Sequence, residues 1–304
     1  MITSLLAGRV VGAVLRLRTV LTLATAAVLV VASFTGPRWL TWAATACFAA
    51  ALVLLFVPAT PPETRREPIE VEPPVRGRWV AVNSPASRTP SHGTHAYGQT
   101  HAIDLVHDPD PARPRVALVR WPLARPPRTF PGYGQPVLAP ADAVVVRASD
   151  WQRDHWSRNS WPAVLYMMLI EGSLRELTGP GRVVGNHIVL DLGDGVYAVL
   201  AHLRRRSALV TKGDRVRAGQ PLAACGNSGN SSEPHLHFQL MDRPGVLLAA
   251  GLPFTFPGGV PATGQVLVAG SAPAEPPVAT VAAEPPVAAE PPVAAGADQS
   301  GPAD

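Results

Sequence analysis

Residues 187–192 (HIVLDL) and 196–200 (VYAVL) are apolar runs separated only by Gly193-Asp194-Gly195. A chain that turns this tightly between two runs must pair them antiparallel, and Gly and Asp are the residues such a turn needs. The same punctuation recurs. Residues 136–140 (PVLAP) lead through Ala141-Asp142 into 143–146 (AVVV), and 210–216 (VTKGDRV) precedes 219–222 (GQPL). Short strands at this spacing predict a mainly β fold built on an antiparallel sheet.

The run 234–240 (PHLHFQL) carries the most chemistry. Leu236, Phe238 and Leu240 alternate with His235, His237 and Gln239. Side chains on a strand alternate between faces, so the histidines share one face and the apolar residues the other. Two imidazoles side by side can hold a metal together, or one can hold it while the other addresses a substrate. Three more features add to that pair: His202 ends the strand after the glycine turn, Asp104 is a lone carboxylate in the apolar run 102–105 (AIDL), and His92, His95, His101 and His107 surround it in sequence. A bare carboxylate in an apolar strand is costly unless it is paired or binds a metal. Catalytic zinc sites take three ligands from His, Asp or Glu and leave a fourth position open. The residue types for such a site are present.

Composition narrows the alternatives. The 304 residues are 47% apolar and 16% charged, with a formal charge of +4 spread thinly along the chain. No dense basic stripe interleaved with aromatics exists, which argues against nucleic acid as a partner. The two cysteines, Cys47 and Cys225, lie in unrelated segments and form no CxxC, which excludes a thiolate zinc site and makes a disulfide between them implausible.

Along the chain, 1–18 form a basic N-terminal segment, and 19–34 and 39–58 are uncharged runs divided by Gly36-Pro37-Arg38. Their lengths predict two transmembrane helices within 19–58, with Trp39 and Trp42 as interfacial aromatics and the lipid bilayer as partner. Residues 59–78 read as a Pro-rich linker and 79–256 as the globular domain. Residues 257–304, with AEPPVA three times, read as a disordered Ala/Pro-rich tail. Within the domain, 150–180 is expected to be an insertion carrying a helix over 164–177, closed by Gly179-Pro180.

In order, 185–190 (GNHIVL), 201–203 (AHL), 210–220 (Val-x-x-Gly-Asp-x-Val-x-x-Gly-Gln), 226–229 (GNSG) and 234–238 (PHLHF) resemble the M23, or lysostaphin/LytM-type, zinc metallopeptidases. The resemblance runs from about residue 92 to 240. It implies an antiparallel β-sheet groove of that type, a zinc cofactor, and hydrolysis of peptidoglycan peptide cross-links through a metal-activated water. It further implies that His237 and Asp104 are metal ligands and that His202 and His235 face the scissile peptide. The family's upstream histidine lies four residues before the aspartate, where this chain has Thr100. His101 is three before it, and odd spacing on a strand puts it on the face opposite Asp104. A divergent branch carries the histidine further upstream, which implies His92 as third ligand, with His95 and His101 as alternatives. His155 and His187 are given no role.

The peptidoglycan substrate places the domain outside the cell membrane. Two rival readings remain: a metal-free relative that binds the wall or regulates another hydrolase, and a biotinyl- or lipoyl-type carrier. The carrier needs a lysine at an exposed hairpin tip, whereas Lys212, the chain's single lysine, lies in a Gly-Asp turn.

Overall fold

A computed structural model describes residues 17–56, 66–110, 112 and 121–270. The expected N-terminal segment up to 16, the first part of the linker (59–65), and the tail beyond 270 lie outside them. The strands are β1 (Ile69–Glu70), β2 (Gly77–Val82), β3 (Ile103–His107), β4 (Pro136–Leu138), β5 (Ala143–Ser149), β6 (Asn186–Gly193) and β7 (Val196–Leu203). They continue with β8 (Arg215–Val216), β9 (Pro221–Ala224), β10 (Leu236–Met241), β11 (Gly251–Leu252), β12 (Phe254–Thr255) and β13 (Val266–Ala269).

Nine of these form one sheet in the order β13-β2-β3-β10-β7-β6-β5-β8, with β11 added to β10. Every pairing in it is antiparallel. The glycine turn does what its sequence demands: β6 and β7 pair across it, with Asp191 opposite Tyr197 and Leu190 opposite Ala198. The segments around Gly213-Asp214 do not pair with each other. Instead β8 extends the main sheet beside β5, and β9 joins β4 in a separate ribbon.

Gly77, placed in the linker by its surroundings, begins β2, and Val266–Ala269, placed in the tail, pairs with β2 as the sheet's outer strand. The folded domain therefore reaches beyond both expected boundaries.

β10 lies at the centre and is buried along its whole length. Leu236, Phe238 and Leu240 enter a core with Trp79, Ile103, Leu105, Leu190 and Leu200. Phe238 meets Phe254 edge-on at 5.0 Å between ring centroids, and Phe256 at 6.0 Å. The opposite face of β10 is polar yet equally enclosed, and that combination defines the site.

The segment between β5 and β6 is helical, beginning earlier and ending later than its apolar spacing indicates. Helix α3 (Trp161–Tyr166) is N-capped by Ser160, whose Oγ accepts the Ala163 N–H, and it has Pro162 in its first turn. A π-turn over Met167–Glu171 follows, then α4 (Gly172–Leu177) and the short α5 (Pro180–Val184). A π-turn rotates the side chains that follow it, which offsets the two halves of the stripe.

The N-terminal runs form helices α1 (Arg18–Thr35) and α2 (Arg38–Phe56). They pack antiparallel, since Thr22 Oγ1 reaches the Ala51 carbonyl and Thr41 Oγ1 that of Ala32. Small residues at the contact, buried Ala32, Ala44 and Ala51, allow this close approach. Among the described residues no helix is long and apolar enough to cross a membrane. The expected transmembrane pair is therefore not supported; what stands there is an apolar helical hairpin.

Phe238→Ala removes the aromatic side chain at the back of the strand that bears the histidines. It is expected to cost about 3–5 kcal/mol of stability. Urea unfolding of the two proteins checks it, and a loss below about 1 kcal/mol would show that the aromatic cluster does not anchor β10.

Candidate metal centre

Three adjacent central strands bring the site together. Asp104 on β3 lies directly opposite His237 on β10, and His237 lies opposite Ala201, the neighbour of His202, on β7. His235 immediately precedes β10. His92 comes from the loop before β3 and reaches Asp104, with its Nε2 3.0 Å from Oδ2. His92, Asp104 and His237 offer ligand atoms that all lie within 4.8 Å of one another.

His95 and His101 are elsewhere. The His95 Nδ1 meets Thr100 Oγ1 at 3.1 Å, and His101 ends a 3₁₀ helix ahead of β3 and is not among the converging ligand atoms. His107 stacks on Trp79, 5.0 Å between centroids, at the far end of β3. His155 and His187 are held by backbone carbonyls, and burial lowers the pKa of both.

The hydrogen-bond network assigns a tautomer to each of the four site histidines. The Tyr97 carbonyl can only accept, so Gln239 turns its NH₂ towards it at 2.8 Å and its Oε1 towards His237 Nε2 at 2.9 Å. The neutral form of His237 therefore carries its proton on Nε2, and the Nδ1 left bare in that form faces Asp104 Oδ1 at 2.8 Å. Ser91 Oγ gives its own proton to the Gln99 carbonyl and accepts from His92 Nδ1 at 3.0 Å, so the His92 Nε2 is bare as well.

Two lone pairs then point at one carboxylate, which is repulsive unless a cation sits among them. Tetrahedral zinc with bonds of 2.0–2.2 Å sets its ligands about 3.4 Å apart. Separations of 2.8 and 3.0 Å are close to that, so the donor set fits zinc in number, type and orientation. Asn83 completes the surroundings by donating its Nδ2–H to Asp104 Oδ2 at 2.9 Å.

The other two histidines face the same space. The His202 Nδ1–H donates to the Ser228 carbonyl at 2.8 Å, and the His235 Nδ1–H to the Glu233 carbonyl at 2.7 Å. Both therefore turn an unprotonated Nε2 towards the centre, that of His235 lying 3.5 Å from Asp104 Oδ1. Their rings are 4.8 Å apart, and His202 is 5.7 Å from His237.

The 226–229 turn orients both rings. It supplies the Ser228 carbonyl directly, while Asn227 Oδ1 accepts from Ser231 Oγ, which also contacts His235 Nδ1. Asn186 fixes that turn from behind, donating its N–H to Ser228 Oγ and its Nδ2–H groups to the Gln152 and Leu203 carbonyls. At Gly185, with φ of +67°, a Cβ would lie 2.5 Å from the Ser228 backbone, so only glycine admits this contact.

Burial by itself would raise the pKa of Asp104. When protonated, His92 and His235 outweigh burial by their charge, joined by hydrogen bonds that His235 and His237 donate in that form, and hold it well below the usual carboxylate range. Burial, reinforced by repulsion from His235 and His237, pushes His202 well below the usual imidazole value, so it is neutral at physiological pH.

Gln239, Ser91 and Asn83 were not identified by sequence reasoning. Gln239 had a signal, because strand parity puts it on the face of His237. The other two act through loops.

Residues 170–247 match the model of peptidase family M23. Over 78 residues the chain is 35% identical to the murein hydrolase activator EnvC of Escherichia coli strain K12, a stretch of 23% of this chain and 18% of that protein. Among solved structures it is similar to the catalytic domain of the antimicrobial peptidase lysostaphin from Staphylococcus simulans. That match has 23% identity, 51% of this chain, 78% of that chain and a TM-score of 0.29. A zinc-containing peptidase from Vibrio cholerae is 20% identical over 62% of this chain and 40% of that chain, with a TM-score of 0.28.

Gln239→Leu removes the acceptor that holds the His237 proton on Nε2. Loss of such a supporting bond is expected to weaken zinc binding about 10- to 100-fold, whereas Gln239→Glu, which keeps an acceptor, should recover most of it. Competition with a chromogenic chelator measures this. Equal affinity in all three proteins would show that Gln239 does not orient the ligand.

Proposed function

We propose that this chain, which carries the M23-type segment 170–247, is a zinc metalloendopeptidase that hydrolyses peptide cross-links of peptidoglycan. The single observation that carries this reading is the orientation of the ring nitrogens. Two bare nitrogens and a carboxylate converge on one point, and two further bare nitrogens face it from the side. In the proposal His92, Asp104 and His237 hold the metal, and His202 and His235 address the peptide. A zinc ion bound there would polarise a peptide carbonyl and make water more acidic.

This chain's own residues would do the rest. His202 and His235, each with a free Nε2 and each fixed by a carbonyl on Nδ1, are placed to take the proton from the attacking water. They would return it to the leaving amine and stabilise charge developing on the carbonyl oxygen. Asp104, ionised throughout, compensates the cation.

A second reading, in which the domain regulates another hydrolase, draws on the match to EnvC, itself described as an activator. The complete donor set favours catalysis, because a regulator has no physical need to hold lone pairs against a buried carboxylate.

For location we propose the outer side of the cell membrane, with the helical hairpin as the attachment. Val28, Val31, Phe34, Trp39 and Trp42 are exposed on it, an apolar surface that water does not favour. An impermeant thiol reagent on intact cells is expected to label a cysteine placed at Glu67. Labelling confined to lysed cells would overturn the outward placement.

The activity has a direct test. The purified protein should bind about one zinc per chain. Asp104→Ala and His237→Ala should lose it, while His202→Ala should keep the metal and lose roughly 10²–10⁴-fold in kcat on cross-linked muropeptides. Zinc retention in Asp104→Ala, or full turnover by His202→Ala, would overturn the assignment.

A further inference from the structure

The 226–229 turn has two sides. Its inner side holds His202 through the Ser228 carbonyl. Its outer side is bound to the loop after β5: Asp154 Oδ1 accepts the Asn227 N–H at 2.7 Å, and His155 Nε2 donates to the Gly229 carbonyl at 2.9 Å. Beyond that loop lie two hollows of about 610 and 550 Å³ that share Arg153 and Arg205 in their walls and so make one continuous cleft.

The charge in the cleft is one-sided. Arg128, Arg153, Arg175, Arg182, Arg204 and Arg205 line it, brought together from four separate segments of the chain. Among its described lining residues Asp154 is the one carboxylate, and its oxygens are already committed to the N–H groups of Asn227 and Arg205 and to the Tyr133 hydroxyl. Arg175 is paired with Glu171 at 3.3 Å. The remaining five face no free acid within the cleft, and the Arg205 Nε is buried without an acceptor.

Aromatic faces alternate with these cations. The Arg182 guanidinium lies 4.5 Å from the Trp151 ring centroid, and Arg204 lies 5.4 Å from that of Tyr133. Such stacking holds a planar guanidinium in place with its edge N–H groups free for a carboxylate. Trp151 and Trp156 are themselves 57% and 58% exposed, leaving ring faces open.

We propose that this cleft is a second binding site, for a carboxylate-bearing glycan strand, and that it holds the sugar chain while its attached peptide enters the metal centre across the 226–229 turn. The inference rests on the peptidoglycan reading for its choice of glycan. Flat aromatic faces suit the C–H faces of sugar rings, and free guanidinium edges suit carboxylates set at intervals along the chain. A site for a bare small anion has no use for two open tryptophans, and a site for neutral sugar has no use for six guanidinium groups set against a single lining carboxylate.

The test is binding to peptidoglycan glycan strands stripped of their peptides by an amidase, which keep one lactyl carboxylate per disaccharide and contain no cleavable peptide. The full chain in detergent is titrated by tryptophan fluorescence, with a chitin oligosaccharide of matched length and glycerol phosphate as comparison ligands. The stripped glycan is expected to bind at least about tenfold more tightly than either. Its affinity should fall about tenfold or more in Arg153→Glu and in Trp156→Ala, two exposed positions whose replacement leaves the fold intact. Zinc content and hydrolysis of a sugar-free cross-link peptide should be unchanged in both variants.

Unaltered glycan affinity in both variants would overturn the inference, as would equal binding of chitin oligosaccharide or displacement of the glycan by equimolar glycerol phosphate. Absence of peptide hydrolysis by the unmodified protein, with glycan binding intact, would overturn the endopeptidase reading and leave this one standing.

Discussion

A buried carboxylate faced by unprotonated imidazole nitrogens is the constraint on which the rest of the structure depends. Asp104 sits on β3, beside the central strand β10, and is only 7% exposed, with the His92 Nε2 and His237 Nδ1 at 3.0 and 2.8 Å. Removing a charge from water in this way costs several kcal/mol unless it is paired. Neutral histidines whose lone pairs point inward cannot supply that pairing, whereas their protonated forms, or a cation held among them, can. The hydrogen bonds behind the ligands, from Gln239 and Ser91, exclude the opposite tautomers.

That demand reaches through the fold. β10 presents core residues on one face and His237 and Gln239 on the other, both faces enclosed. Burying the polar face requires every donor and acceptor on it to be matched, and the matches come from distant segments. Tyr97 reaches Gln239 from the loop before β3, and Asn186 ties the insertion, the end of β7 and the 226–229 turn together. Glycines at 185 and 229 let backbones meet where any side chain would collide. The site is rigid because its polar network is fully used.

How much of this was legible in the sequence follows from locality. Strand alternation and tight turns are short-range properties, so residues 187–200 and 234–240 disclosed their pairing and their faces directly. Parity also set His101 aside, but for a reason the structure does not share: His101 ends a 3₁₀ helix and lies outside the strand to which parity applies. Choosing His92 over His95 lay beyond parity, because both belong to a loop whose path is set by Ser91 reaching the Gln99 carbonyl. β13 escaped notice for a related reason. Four residues of an outer strand, alternately exposed, carry little pattern, and their pairing with β2 spans most of the domain in sequence. The helix of the insertion was visible as an apolar stripe, but its π-turn was not, since one inserted residue only shifts the period.

The uncharged N-terminal runs show where composition misleads. Their length and apolarity are properties of a membrane span, yet the helices they form are 18 and 19 residues and pack closely on each other through alanines. Pairing satisfies one face of each helix, while Val28, Val31 and Phe34 remain outward. An apolar surface of that kind on a folded protein marks a place that another apolar surface can cover. The metal centre sits at the opposite extreme of the same physical scale, where the fold encloses charge and must supply every partner itself.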